Sequence, residues 1–386
     1  MTRRVVQTVL PTVLDRAFPP QMVGELAKAV EQSGVVDFAL VFDQLCGFYP
    51  PQLWRPEFTP LATVSRDNDS FCDAFILAAF AAAAAPNLGV MVTHDAIRKG
   101  AAELTQSMLT LAGITERPAV LLLGAGEVKQ SRPFGYRRVE GLDRLEDSLQ
   151  LFHRLLECDA PFDFDGNLTN FRDAYIGTVR PRKPEVWVLG AGPRLLEMGA
   201  RHSNGWFTVE PFAGHTPEEF EIEVKRIKAM VENQGRDPED FNIGVTITLA
   251  CHDDEQIIEE ALANPLLKYI AGIWGRFDQR QWKREGVAAL FPPNWHYALK
   301  YVPMELTLAE VQRVVDGATP EMVRKSFFVG SPATVAAHCQ DYVDAGATHI
   351  VLYDMVGVTR PVEEAFAGLS RLIEICRLLK GADVVS

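Results

Sequence analysis

Two apolar runs that each end in Gly-Ala-Gly constrain this chain most. Val186-Trp187-Val188-Leu189 runs into Gly190-Ala191-Gly192-Pro193-Arg194, where a helical pattern begins. Upstream, Ala119-Val120-Leu121-Leu122-Leu123 runs into Gly124-Ala125-Gly126-Glu127. Glycine at a strand end lets a ligand approach bare main chain. Proline suits the first helical position, and the free amides around it hold an anion. The pair points to a phosphate-bearing group and a carboxyl gathered at one end of a parallel sheet.

The rest of the chain repeats this strand-then-helix order. The patterns predict strands over Arg4–Leu10, Val36–Phe42, Leu88–Val92, Ala119–Leu123, Val186–Leu189, Gly205–Val209, Ile243–Ala250 and His349–Tyr353. Helical spacing falls between them, as at Met22, Leu26, Ala29 and Val30, and in the alanine-rich run from Ala74 to Pro86. Thr216-Pro217-Glu218-Glu219 is a capping box that opens another helix. About eight strands alternating with helices predict an α/β fold, a (β/α)8 TIM barrel, over a single domain spanning 1–386. The alternative is a Rossmann-type sheet, but its third glycine is replaced by Leu195 in one run and Lys129 in the other. Residues 158–184 read as irregular. Residues 264–325 break the alternation and read as an insertion or lid, with Trp274, Phe277, Trp282, Phe291, Trp295 and Tyr297.

Composition removes several function classes. A net charge of −13 argues against nucleic acid and against an anionic membrane surface. The alanine-rich run is too short to cross a bilayer, so no membrane insertion is expected. Met1-Thr2-Arg3-Arg4 is basic, but Val5 to Val13 is short and broken by Gln7 and Pro11, so no secretory leader is expected. The six scattered cysteines predict reduced thiols in a cytoplasmic protein, and neither they nor the eight histidines fall at metal-ligand spacing.

Barrel active sites gather at strand C-termini. That nominates Asp43-Gln44, Met91-Val92-Thr93-His94, Gly124-Ala125-Gly126-Glu127 and Gly190–Arg194 as neighbours on one rim. Gly89–Thr93, Leu122–Glu127, Pro133-Phe134-Gly135 and Trp187–Arg194 together resemble the bacterial-luciferase-like superfamily. Phe328-Val329-Gly330-Ser331-Pro332 and Ala345-Gly346 extend the likeness over nearly the whole chain. Within it, the chain is most similar to the branch using the deazaflavin coenzyme F420. That branch includes phthiodiolone ketoreductases, methylenetetrahydromethanopterin reductase and a glucose-6-phosphate dehydrogenase.

The resemblance implies roles. A non-prolyl cis peptide would fall at Met91–Val92 and prop the deazaflavin ring. Gly190, Ala191, Gly192, Pro193 and Arg194 would receive the cofactor phosphate, with Gly124, Ala125 and Gly126 lining the same face. Asp43 would lie near the ring edge, and Glu127 matches the family's active-site acid. Reducing a carbonyl by hydride leaves an alkoxide that needs a proton. A carboxyl half buried against an apolar ring has a raised pKa and can give one. The family's histidine after Asp43 is Gln44 here, which hydrogen-bonds but exchanges no proton near neutrality. Either Glu127 works alone, or His94 substitutes, or the reaction differs. Phe48 stands where relatives place an active-site aromatic. Trp274 and Phe277 would meet an apolar substrate, or else pack a helix onto the barrel.

The expectation is therefore a coenzyme F420-dependent oxidoreductase, forming a homodimer as relatives do. It would pass hydride between the deazaflavin and a carbonyl or alkene of a small-molecule or lipid-like substrate. Two rivals stand beside it: an FMN-dependent monooxygenase, and a non-catalytic flavin- or deazaflavin-binding barrel.

Overall fold

The apolar runs pair in parallel, each with the next. The computed structural model describes residues 6–12, 15–210 and 216–381. Arg4 and Val5 of the expected first strand, with Met1–Arg4 and Val13 of the stretch weighed as a leader, lie outside the described residues. In chain order the strands are β1 (Gln7–Thr12), β2 (Phe38–Val41), β3 (Gly89–Asp95), β4 (Ala119–Gly124), β5 (Phe162–Asp165), β6 (Asn170–Ala174), β7 (Glu185–Leu189), β8 (Gly205–Val209), β9 (Asn242–Cys251), β10 (Phe328–Gly330) and β11 (His349–Asp354). β1, β2, β3, β4, β7, β8, β9 and β11 pair in that order, all in parallel, and β11 returns to β1. The sheet is thus a closed (β/α)8 barrel, as the alternation predicts, and not an open doubly wound sheet.

Side chains of alternate parity fill the two layers. Val9, Leu40, Met91, Val120, Leu122, Trp187, Phe207 and Val351 are buried together inside the barrel. The opposite parity, including Val41, Val92, Leu121 and Val188, packs against the helices. The alanine-rich helix (Ala74–Ala84) is capped by Asp73, which accepts from Ile76 N at 3.0 Å. Its small residues allow a close crossing: a Cβ on Gly24 would sit 3.2 Å from Ala84 Cβ.

Two regions differ from the sequence reading, and a third gains detail. Residues 158–184 contain the antiparallel hairpin β5–β6. The buried Asp147 carboxylate organises its turn, accepting from the amides of Asn167 (2.7 Å), Leu168 (2.8 Å) and Thr169 (2.9 Å). β10 is an extra short strand paired with the end of β9. Residues 264–325 form short helices, among them Pro265–Trp274, Gln279–Arg284, Tyr297–Lys300 and Leu308–Gly317. These have a core of their own, centred on the fully buried Tyr269 and Trp282. No described helix is long and apolar enough to cross a membrane.

Candidate functional site

Register sets the rim. Val41 is paired with Val92, Asp95 with Gly124, and Gly124 with Leu189. The four nominated segments therefore leave the barrel side by side, at the C-terminal end of β2, β3, β4 and β7.

The first cluster is ionic. Asp43 contacts His94 Nδ1 and, at 2.5 Å, Arg98 Nη2, while Arg98 Nε also pairs with Asp95. Asp95 additionally accepts from the amides of Ile97 and Arg98. Burial raises Asp43, but the His94 hydrogen bond and the His94 and Arg98 charges outweigh it and hold the carboxyl below its ordinary 3.8. The Asp43 amide donates to Thr93 Oγ1 at 2.9 Å, which ties β2 to β3. His94 is a buried strand residue rather than a loop residue. Its ring meets the Phe75 edge at 5.6 Å, and its Nε2 is buried without a partner among the described residues.

The second cluster holds the expected acid. Glu127 ends the β4 rim and precedes the one-turn helix Val128–Ser131. That turn points Lys129 inward, and its side chain is only 1% exposed. Lys129 Nζ donates to Gln44 Oε1 (2.8 Å) and Cys46 O (2.7 Å) and pairs with Glu127 Oε2 at 3.1 Å. It also lies 4.1 Å from the centre of the Phe48 ring. Gln130 completes the frame, accepting from Leu45 N and donating to Gln44 Oε1 and Cys46 O. Tyr297, from the inserted segment, shares a hydrogen bond with Glu127. Burial first, and then the Glu127 charge, push its phenol well above the ordinary value. Phe48 stacks on Trp274 at 5.7 Å and tilts toward Tyr297 at 5.9 Å. Burial pushes the Cys46 thiol up to about 12, so it stays protonated.

On the protein side, then, the Glu127 carboxylate faces an ammonium and a phenol. The ammonium also gives Gln44 a physical reason. A buried ammonium needs a neutral acceptor there, and an imidazolium in its place would repel it. Lys129 figured in the sequence only as the residue standing where a third glycine would be needed.

The glycine loops divide. Gly190 and Gly192 have φ of +133° and +112°, and a Cβ on Gly192 would meet nothing within 4 Å. Gly192 caps the helix Pro193–His202 with Pro193 in its first turn, so main chain and helix amides stand bare there. Gly124 and Gly126 are tight for packing reasons: added Cβ atoms would come 3.2 Å from Leu189 O and 2.8 Å from Ile97 Cδ1. The Arg194 guanidinium turns to Asp143 (2.6 Å) and Glu146 (3.2 Å), so what this residue offers the loop is its main chain.

Met91 and Val92 depart further. No cis peptide bond occurs among the described residues, so Met91–Val92 is trans. β3 keeps an unbroken ladder to β2 and β4, and that ladder requires extended trans backbone. Met91 faces the barrel interior and Val92 the helices, and both are fully buried. A cavity of about 780 Å³ lies away from this rim, among His153, Arg154, Glu157, Arg201 and His202. These residues sit at helix C-termini, which places the cavity at the opposite face of the barrel.

A closed parallel barrel whose polar side chains and bare glycines converge at the strand C-termini is a TIM barrel with an enzyme's rim site. A family model described as luciferase-like monooxygenase matches residues 6–349. The chain belongs to that family. Phthiodiolone/phenolphthiodiolone dimycocerosates ketoreductase from Mycobacterium kansasii is 23% identical over 354 residues, covering 88% of this chain and 93% of its own. An F420-dependent secondary alcohol dehydrogenase, solved with an F420-acetone adduct, aligns with a TM-score of 0.69 at 18% identity, covering 91% of this chain and 94% of that one. Riboflavin lyase with modified FMN and riboflavin aligns with a TM-score of 0.65 at 15% identity, covering 98% and 96%.

Proposed function

We propose that this protein is a coenzyme F420-dependent oxidoreductase that interconverts a carbonyl and an alcohol, or reduces an activated alkene. The observation that carries the reading is the Gln44–Lys129–Glu127 frame on the same rim as the open Gly192 main chain. The glycine loop fits an anionic tail: its φ values exclude side chains, its helix amides are free, and space lies in front of Gly192. When bound, the deazaflavin supplies or accepts hydride at its C5. Glu127, paired with Lys129, takes the hydroxyl proton as an alcohol is oxidised and returns it to the substrate oxygen in the reverse direction. Lys129 balances the charge left on Glu127, and Tyr297 keeps its proton and orients the carboxyl. Gln44 positions Lys129 and touches no reacting atom. Asp43 anchors the β2 rim through Arg98 and His94.

The alcohol dehydrogenase named above, solved with an F420-acetone adduct, supports F420, whereas the lyase structure holds modified FMN. Fluorescence titration of the purified protein with each cofactor decides between them. F420 binding with ketone-dependent oxidation of reduced F420 is the expected result. Glu127→Gln should lower that turnover by about 100-fold or more while F420 still binds, the usual scale for one acid–base group. Tight FMN binding without F420 binding would overturn the reading. Unchanged turnover in Glu127→Gln would remove Glu127 from it.

A further inference from the structure

Arg138 stands in the turn Arg138–Glu140, just before the helix Gly141–Glu157. Its Nε is buried, and no hydrogen bond or ion pair with a described residue engages its guanidinium. The group is packed, not adrift. A Cβ on Gly141 would come 1.9 Å from Ala125 O and 2.9 Å from Arg138 Nη1, so the glycine lets the helix start close on the β4 rim with the guanidinium packed beside it. Glu127, then Asp95, are the acids whose charges act on it, with the Tyr297 phenol beyond them. Both acids already have cations of their own, Lys129 and Arg98. Arg138 therefore has opposite charge nearby and no described residue to bond.

A second free donor lies within reach of the Arg138 charge. His296 Nδ1 accepts from Ala298 N at 3.1 Å. Burial, and then the Arg138 charge, push its imidazole down to about 4, so it is neutral and carries its proton on Nε2. No described residue accepts that proton. The Phe277 ring closes on the imidazole edge-on at 3.9 Å and fixes its plane.

We infer that Arg138 and His296 form a carboxylate subsite beside Glu127, and that the substrate is a small oxo acid. This rests on the oxidoreductase reading above. A carboxylate would take two parallel bonds from the guanidinium and a third from His296 Nε2, which leaves the neighbouring carbonyl toward Glu127. A purely apolar lipid would desolvate a guanidinium that has no other partner, which is unfavourable. The cofactor's anionic tail is the other source of an anion. The Gly190–Gly192 loop already serves it, and His296 belongs to the inserted segment over the substrate side.

The test uses matched probes, 2-oxobutyrate and butanone, titrated calorimetrically into the protein with F420 present. F420 affinity is measured on the same samples. Wild type should bind 2-oxobutyrate about ten-fold or more tighter than butanone, the scale of one charge-assisted pair. Arg138→Met should collapse that ratio toward one, Arg138→Lys should keep part of it, and His296→Phe should reduce it. Equal affinities in wild type, or a ratio that survives Arg138→Met, would overturn the subsite. A fall of F420 affinity in step with the ratio would assign the arginine to the cofactor tail and likewise overturn it. Failure of F420 to bind wild type at all would instead sink the oxidoreductase reading.

Discussion

Lys129 is a costly residue for a barrel rim. Removing an ammonium from water is unfavourable unless every N–H finds an acceptor, and here Gln44 Oε1, Cys46 O and Glu127 Oε2 supply three. The Phe48 face adds a further attraction on the remaining side. Such a residue should be destabilising to remove singly and tolerable to remove with its partner. Lys129→Met leaves Glu127 partly buried without its cation, and should cost about 3 kcal/mol, the low end for a broken buried pair because Glu127 is a quarter exposed. The double variant Lys129→Met/Glu127→Gln should regain a good part of that loss. Urea denaturation of the wild type, both singles and the double closes the cycle. Additive losses would mean that the two side chains do not act as a pair.

At the scale of elements, the loop after β7 makes the sharpest claim. Gly192 adopts φ +112°, a region that L side chains avoid, at a position with free space in front of it. Gly192→Ala meets no clash but forces strain of about 1–3 kcal/mol, relieved only by moving the loop. F420 affinity should drop by roughly ten-fold, read by fluorescence titration, with the barrel still folded. Unchanged affinity would mean that the tail passes elsewhere. This loop was legible in the sequence because a buried parallel strand, two glycines and a first-turn proline are local signals. The hairpin β5–β6 was not, since its strands are short and largely exposed and its turn depends on Asp147, distant in sequence. Lys129 was illegible for a similar reason. A lysine in a single helical turn reads as solvated, and only the inserted segment and the loop after β2, folded over it, bury it. The cis bond expected at Met91–Val92 came from family likeness, and the β3 ladder does not carry it.

Across the whole molecule, barrel closure is tied off by a half-buried acid. Asp354 ends β11, and its Oδ1 accepts from Cys251 N (3.1 Å) on β9 and from Val356 N (3.2 Å) in the following turn. Burial raises its carboxyl to about 6 from an ordinary 3.8, despite those amides and the Arg371 charge. Between these two values the unfolded chain loses its proton and the folded chain keeps it. The folded state then binds more protons, so stability falls as pH rises through this window. The shift of about two units is worth about 3 kcal/mol, fully present below pH 3.8 and lost by about pH 7. His296 tilts the other way. Its value of about 4 lies below an ordinary 6.5, so its contribution is present above 6.5 and lost as pH falls toward 4. The two slopes oppose each other in the wild-type profile, which hides both. Asp354→Asn keeps a carbonyl oxygen for the two amides and removes only the titration, and the His296 slope is common to both proteins. The wild-type minus Asp354→Asn stability, from urea midpoints at steps between pH 3.5 and 7.5, should therefore fall by about 3 kcal/mol across that range. Parallel profiles for the two proteins would show that Asp354 ionises as readily in the barrel as in the unfolded chain.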